Sequence, residues 1–202
     1  MMNRIRRLFV RRAWIACLIA LATVSCTSKQ AAQAGNAEAP KAATQTPVER
    51  GAYLVAILGC HDCHSPKVLT ESGQPMPDKS RLLSGHPANS VTPALPSGVP
   101  DPRGWIALTT GDFTAWAGPW GVSFASNLTP DESGLKMWTE ENFIQTIRTG
   151  KHLGVGRPLL PPMPWPDFAN MTDDDLRAVF AYLRTLPPIA NVVPQPLPPA
   201  GT

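Results

Sequence analysis

Two of the four cysteines in this 202-residue chain stand in the run Cys60-His61-Asp62-Cys63-His64. That spacing is the one used for covalent haem attachment. Two thiols three residues apart on one helical turn can each form a thioether to the vinyl groups on one side of a porphyrin. The next residue, His64, is then carried beneath the iron, where its imidazole can be the proximal ligand. A redox-active Cys-x-x-Cys is the first competing reading, but it wants a strand before the motif in a βαβ context, whereas here a helix precedes it. Half of a zinc site is the second, and it lacks further cysteines, although His86 and His152 could be enlisted.

A second axial ligand would have to come from Met76, Met137, Met163 or Met171, or from His86 or His152. Met163 lies in Arg157-Pro158-Leu159-Leu160-Pro161-Pro162-Met163-Pro164-Trp165. Prolines on both sides hold an extended, hydrogen-bond-poor loop rigid, and such a loop can present a thioether to a metal. A methionine in isolation is usually a core filler, and this context reverses that expectation. Met171 is too near the cap of the last helix, Met137 reads as packing beside Trp138, and Met76 falls in a polar loop. His86 and His152 read as solvent-facing.

Three helices are predicted to position these groups. Thr46, Pro47 and Glu49 form a capping box with proline at the first helical position, and the helix runs to Leu58 and stops at Gly59. Val48, Ala52 and Val55, with Tyr53 and Ile57 beside them, form its apolar stripe. A second helix spans Glu140 to Thr149, capped by Thr139 and ended by Gly150, with Phe143, Ile144 and Ile147 on one face. The last starts after Thr172, sets Asp173, Asp174 and Asp175 at the positive end of its dipole, and repeats Leu176, Val179, Phe180 and Leu183. Pro187-Pro188 ends it. Between Ser65 and Met137 the recurring prolines prevent long elements, leaving short turns or a small hairpin around Trp105 to Asn127. Trp105, Trp116 and Trp120 read as satellite packing under that loop.

The 23 prolines and 16% charged residues exclude collagen-like and fully disordered readings once six Trp and six Phe are set beside them. The net charge of +3 belongs to the N-terminus: Arg4, Arg6, Arg7, Arg11 and Arg12 are five of 18 basic residues, and the remaining 13 face 15 acids. No basic run is left that could neutralise several phosphates, so nucleic acid is not an expected partner. The arginine cluster, the uncharged run Ala13 to Val24 and the small residues up to Cys26 have the layout of a secretory signal over residues 1–25. The run is shorter than the roughly 20 residues a membrane span needs. Val24-Ser25-Cys26 resembles the end of a lipobox with Thr23 in place of Leu, which makes Cys26 the lipidation candidate. Ordinary cleavage near Ala32-Gln33-Ala34 is the alternative. Residues 26–46 form a polar Ala, Gln, Thr and Pro tract that reads as a flexible linker or tether.

Taken together, Gly51-x-Tyr53-Leu54 before the cysteine motif, Asn127-Leu128-Thr129-Pro130-Asp131, Trp138-Thr139, Gly150-Lys151-His152, the Met163 loop, Met171-Thr172-Asp173-Asp174-Asp175-Leu176 and Ala181-Tyr182-Leu183 resemble a class I, mono-haem c-type cytochrome. In detail the pattern is similar to the cytochrome c domains that accompany bacterial periplasmic dehydrogenases. The resemblance covers about residues 48 to 188, within a domain bounded at 47–188 and followed by a Pro-rich tail at 189–202. It implies an all-α cytochrome c fold of three or more helices around one covalent haem c, with the first and last helices crossing. Cys60 and Cys63 would carry the haem, and His64 and Met163 would be its axial ligands. Asn127 and Trp138 would lie along the haem wall or its propionates, and Arg157 would pair with a propionate. The long spacing from His64 to Met163 implies a Pro/Gly-rich insertion over about 70–126.

The expected function is one-electron transfer without catalysis, since no Ser/His/Asp set, phosphate loop or paired carboxylates with a metal motif occurs. Redox proteins, a dehydrogenase or an oxidase, are the expected partners. The expected place is the periplasm, with a membrane tether through lipidated Cys26. Two readings stay open: a haem subunit that works only inside a dehydrogenase complex, and a gas-binding or sensor protein if Met163 is not bound.

Overall fold

Thr46 opens the first helix as its sequence requires. Its hydroxyl accepts from the Glu49 amide, and the Glu49 carboxylate returns to the Thr46 amide at 2.8 Å. The computed structural model describes residues 45–96, 101 and 103–199. The secretory signal, Cys26 and most of the linker predicted above therefore lie outside the described residues. Among the described residues no helix is long and apolar enough to cross a membrane.

Helix α1 (Pro47–Ile57) is followed at once by α2 (Cys60–His64), which holds the whole cysteine motif. Then come a hairpin of β1 (Lys67–Leu69) and β2 (Pro75–Pro77), and a three-stranded antiparallel sheet of β3 (Leu108–Thr109), β4 (Ala115–Gly118) and β5 (Gly121–Phe124). The chain finishes with α3 (Glu140–Thr149), a 3-10 turn at His152–Gly154, α4 (Trp165–Phe168) and α5 (Asp173–Leu183). The caps of α3 and α5 are those expected: Thr139 accepts from the Asn142 amide, Thr172 from the Asp175 amide, and Gly150 closes α3.

The all-α expectation needs correction in the middle third. The hairpin predicted near Trp105 to Asn127 exists, and it is joined by β3 and by the separate β1–β2 pair. Proline spacing permits strands this short because each makes only two to four residue pairs with its neighbour. Residues 189–199 pack against this region: Val122 and Leu197 exchange two backbone hydrogen bonds of 2.9 Å. Asn191, 5% exposed, donates to the Ser84 and His86 carbonyls and accepts from the Ala88 amide.

The core is helical. Leu54 and Val55 of α1, Phe143, Ile144 and Ile147 of α3, and Leu176, Val179, Phe180 and Leu183 of α5 form one cluster with Leu83 and Leu135. The α3 and α5 stripes are the predicted ones, whereas α1 is rotated: Gly51, Leu54 and Val55 are buried, while Tyr53 and Ile57 are about half exposed. Gly51 explains the rotation. A Cβ there would stand 1.9 Å from the Ala178 carbonyl oxygen, so α1 and α5 cross with their backbones nearly touching. Arg50 donates to Asp175 at 2.8 Å beside that crossing. Gly51→Ala is expected to cost about 1–3 kcal/mol by overpacking, read as a lowered midpoint of denaturant unfolding. An unchanged midpoint would mean the crossing is looser than described.

Candidate functional site

Gly59, in the left-handed conformation at φ 67°, turns the chain sharply from α1 into α2. The motif helix has only five residues, so its geometry depends on outside contacts. Lys67 supplies three: its ammonium donates to the carbonyls of His61 at 2.8 Å, Asp62 at 3.0 Å and Ser65 at 2.5 Å. A cation at a helix C-terminus both satisfies orphan carbonyls and faces the negative end of the dipole. The Ser65 hydroxyl accepts from the Leu83 amide and lies 2.9 Å from His61 Nδ1, and the Gly85 amide donates to the His64 carbonyl at 2.8 Å. Lys67→Met leaves three carbonyls without their charged partner and is expected to lower stability by about 1.5–3 kcal/mol. Lys67→Arg should recover part of that loss in the same unfolding measurement.

His64 is oriented by one bond, Nδ1 to the Ser126 carbonyl at 2.8 Å. A carbonyl only accepts, so Nδ1 carries the proton and Nε2 presents a lone pair. Burial holds the imidazolium pKa below its usual value, which keeps that lone pair available. Cys60 behaves differently from a redox thiol: burial pushes it up to about 11, and burial also raises Cys63. A Cys-x-x-Cys oxidoreductase needs a thiol lowered towards neutrality, so this environment disfavours that reading. Among the described residues no three His, Cys, Asp or Glu side chains converge on a metal position, which gives the zinc reading no support there.

The motif opens onto a cavity of about 1570 Å³. That exceeds the roughly 300–1,000 Å³ of an ordinary small-molecule pocket. Cys60, Cys63 and His64 form part of its wall, and Leu128, Phe143, Ile147, Met163, Leu176 and Val179 are among its apolar lining. The Met163 loop is fixed at three points. The Ser123 hydroxyl donates to the Pro161 carbonyl at 2.6 Å, the Leu159 amide to the Gly150 carbonyl at 2.8 Å, and the His152 amide to the Arg157 carbonyl at 2.9 Å.

The other ligand candidates separate by position. Met171 and His152 also line the cavity, His152 with its ring edge-on to Trp138 at 5.2 Å. His152 is thus half-buried and not fully solvent-facing as predicted. Met76 and Met137 are more than half exposed and contribute nothing to this wall. His86, expected in solvent, is 1% exposed and bonded to Thr114, because Thr114, Phe124 and Asn191 close over its loop.

Asn127, Trp138 and Arg157 all reach the cavity wall. The Asn127 amide is fully used within the protein: it donates to Ser133 and the Ile189 carbonyl and accepts from the amide and hydroxyl of Thr129. Its polar atoms hold the 127–133 loop and leave none free for a propionate. Arg157 is exposed at the rim, with one bond to the Pro158 carbonyl at 3.3 Å. Lys67, Ser123 and Ser126 were not singled out from sequence. A basic residue just beyond the motif helix was a readable signal for Lys67, whereas Ser126 acts through its carbonyl and carries none.

A largely apolar cavity of this size, two cysteines on one helical turn and an imidazole held with its lone pair free fit haem c. The chain is similar to the cytochrome c subunits of dehydrogenases. No protein-family model matches it. It is 38% identical over 74 residues, 36% of its length, to the cytochrome c subunit of alcohol dehydrogenase (quinone) from Gluconobacter oxydans. It is 35% identical over 148 residues, 73% of its length, to one subunit of nicotinate dehydrogenase from Pseudomonas putida. With the gluconate 2-dehydrogenase cytochrome c subunit of Pantoea cypripedii it shares 27% over 157 residues, 74% of its length. The chain spans 15%, 9% and 27% of the lengths of these three relatives.

Proposed function

We propose that the protein is a non-catalytic one-electron carrier that passes electrons through a single haem c to or from a dehydrogenase, outside the cytoplasm. Cys60 and Cys63 would hold the haem by thioethers, with His64 and Met163 as its axial ligands. The observation that carries this reading is the shared cavity: the motif helix and the proline-braced Met163 loop contribute to one apolar wall, and both are pinned by hydrogen bonds. Haem with a His/Met pair supplies a raised reduction potential and leaves no axial position for a substrate. The protein's share is to keep both ligands still. His64 is oriented by Ser126, and the carbonyl before Pro162 is held by Ser123, so the coordination needs little movement on electron transfer. The apolar lining excludes water and lowers the local dielectric.

The names of the relatives support a dehydrogenase complex as the partner, and the sole Cys-x-x-Cys-His in the sequence supports one haem. The leader and linker support export, with lipidation at Cys26 as the tether. The segment over about 70–126, with its hairpin and sheet, is an insertion that braces the site. Arg157 at the rim is free to meet a propionate, and Trp138 forms part of the wall.

Carbon monoxide tests this reading. The reduced protein is expected to show little spectral change on exposure to the gas, because both axial positions are filled. Rapid stoichiometric binding would instead make it a five-coordinate sensor or gas-binding protein and overturn the carrier reading.

A further inference from the structure

Among the described residues, one buried side-chain polar atom has no hydrogen-bond partner: Nε2 of His86. The rest of that ring is tightly held. Nδ1 lies 2.8 Å from the Thr114 hydroxyl, which in turn donates to Asp112 Oδ2 at 2.8 Å. Thr114 has one proton to give and gives it to the carboxylate, so it accepts from His86. Nδ1 therefore carries the ring proton, and Nε2 is a buried lone pair with no protein donor. Such a group normally finds a partner or a water.

His86 stands directly behind the haem cavity. Its ring packs on Phe124 at 4.8 Å, its amide donates to the Ala125 carbonyl, and both Phe124 and Ala125 line the cavity. The charged groups facing it are few. Asp112 approaches from the turn between β3 and β4, and Arg81 of its own loop reaches it only through Asn191, at 3.4 Å from that amide oxygen. Strand β5 and the C-terminal segment present Phe124, Ala125 and Asn191, none of which titrates.

An extra electron placed in the cavity adds negative charge beside this ring, and the low dielectric carries the interaction at strength. A buried imidazolium without a counter-ion would be prohibitive. Asp112, two hydrogen bonds away, provides that counter-charge. It remains ionised because, although burial raises its pKa, bonds from Thr110 and Thr114 more than offset this and hold it below the usual carboxylate range.

We propose that His86 is a redox-linked proton-binding site, taking a proton from solvent at Nε2 when the haem is reduced and releasing it on oxidation. This rests on the haem reading above. In each cycle one electron arrives from the donor, one proton arrives from water, and one N–H bond forms; oxidation reverses all three. Burial holds the His86 pKa below its ordinary value in the polypeptide, and the added negative charge of a reduced haem would raise it. Between the two values one proton accompanies each electron, so the midpoint potential falls as pH rises, by at most about 59 mV per unit. Below the lower value the ring is protonated in both states, and above the upper value it is neutral in both, so the potential is flat.

The test is a potential titration of the full-length haem-loaded protein from about pH 4 to about pH 9, a range that brackets ordinary histidine titration. The wild type is expected to show a sloping segment that His86→Gln removes. Asp112→Asn, which keeps the ring but removes its counter-charge, should move that segment to lower pH. Nuclear magnetic resonance of the wild-type ring in both oxidation states should give two distinct pKa values, and this arm needs no variant to fold. A flat wild-type potential, a slope retained in His86→Gln, or equal ring titration in both states would each overturn the proposal. A protein with no reducible haem would fail differently, by showing no potential at all, and would remove the haem reading instead.

Discussion

Met163→Ala is expected to abolish the near-infrared band of sulfur bound to ferric iron and to lower the midpoint potential by on the order of 100 mV, since axial ligands move haem potentials over about 0.8 V. The variant should also become reactive towards carbon monoxide. The argument is local: Met163 is the methionine on the loop held by Ser123, Gly150 and the His152–Arg157 bond, and it packs on the helical core. Retention of the sulfur band would transfer the ligand role to Met171, the other methionine of the cavity wall. A band replaced by a bis-nitrogen spectrum in the wild type would point to His152.

Loss of haem attachment should be more severe. Cys60→Ala with Cys63→Ala, or export without attachment machinery, is expected to give a chain with no cooperative thermal transition. Void space costs about 24 cal/mol per Å³. Even a quarter of the 1570 Å³ cavity left empty then approaches about 10 kcal/mol, against a total stability of about 5–15 kcal/mol for a whole domain. Calorimetry decides it. A sharp transition in the unloaded chain would show that the helices close over the cavity by themselves, and would remove the porphyrin from the core.

What could be read from sequence was what short spacings encode. The caps at Thr46, Thr139 and Thr172, and the i, i+3, i+4 repeats of α3 and α5, are local patterns and appeared where expected. Cys60 to His64 likewise fall on one short helix, as their spacing suggested. The buried face of α1 was misread because its centre is Gly51, which contributes no hydrophobicity and is buried by close approach to α5. The burial of His86 was invisible because its partners stand 28 and 105 residues away, at Thr114 and Asn191. The β1–β2 pair escaped because the prolines of β2 read as breakers, although a pairing of three residues tolerates them.

Ser123 and Ser126 stand three residues apart at the end of one sheet strand and just beyond it, yet one grips the Met163 loop and the other grips the His64 ring. The two jaws of the proposed coordination therefore share a single hinge pin. Heat, alkali or denaturant that frays this strand would free both sides in concert, so ligand loss should follow one sigmoid in place of two separate steps. The same economy means that a partner pressing on this strand could shift both grips through one short piece of backbone.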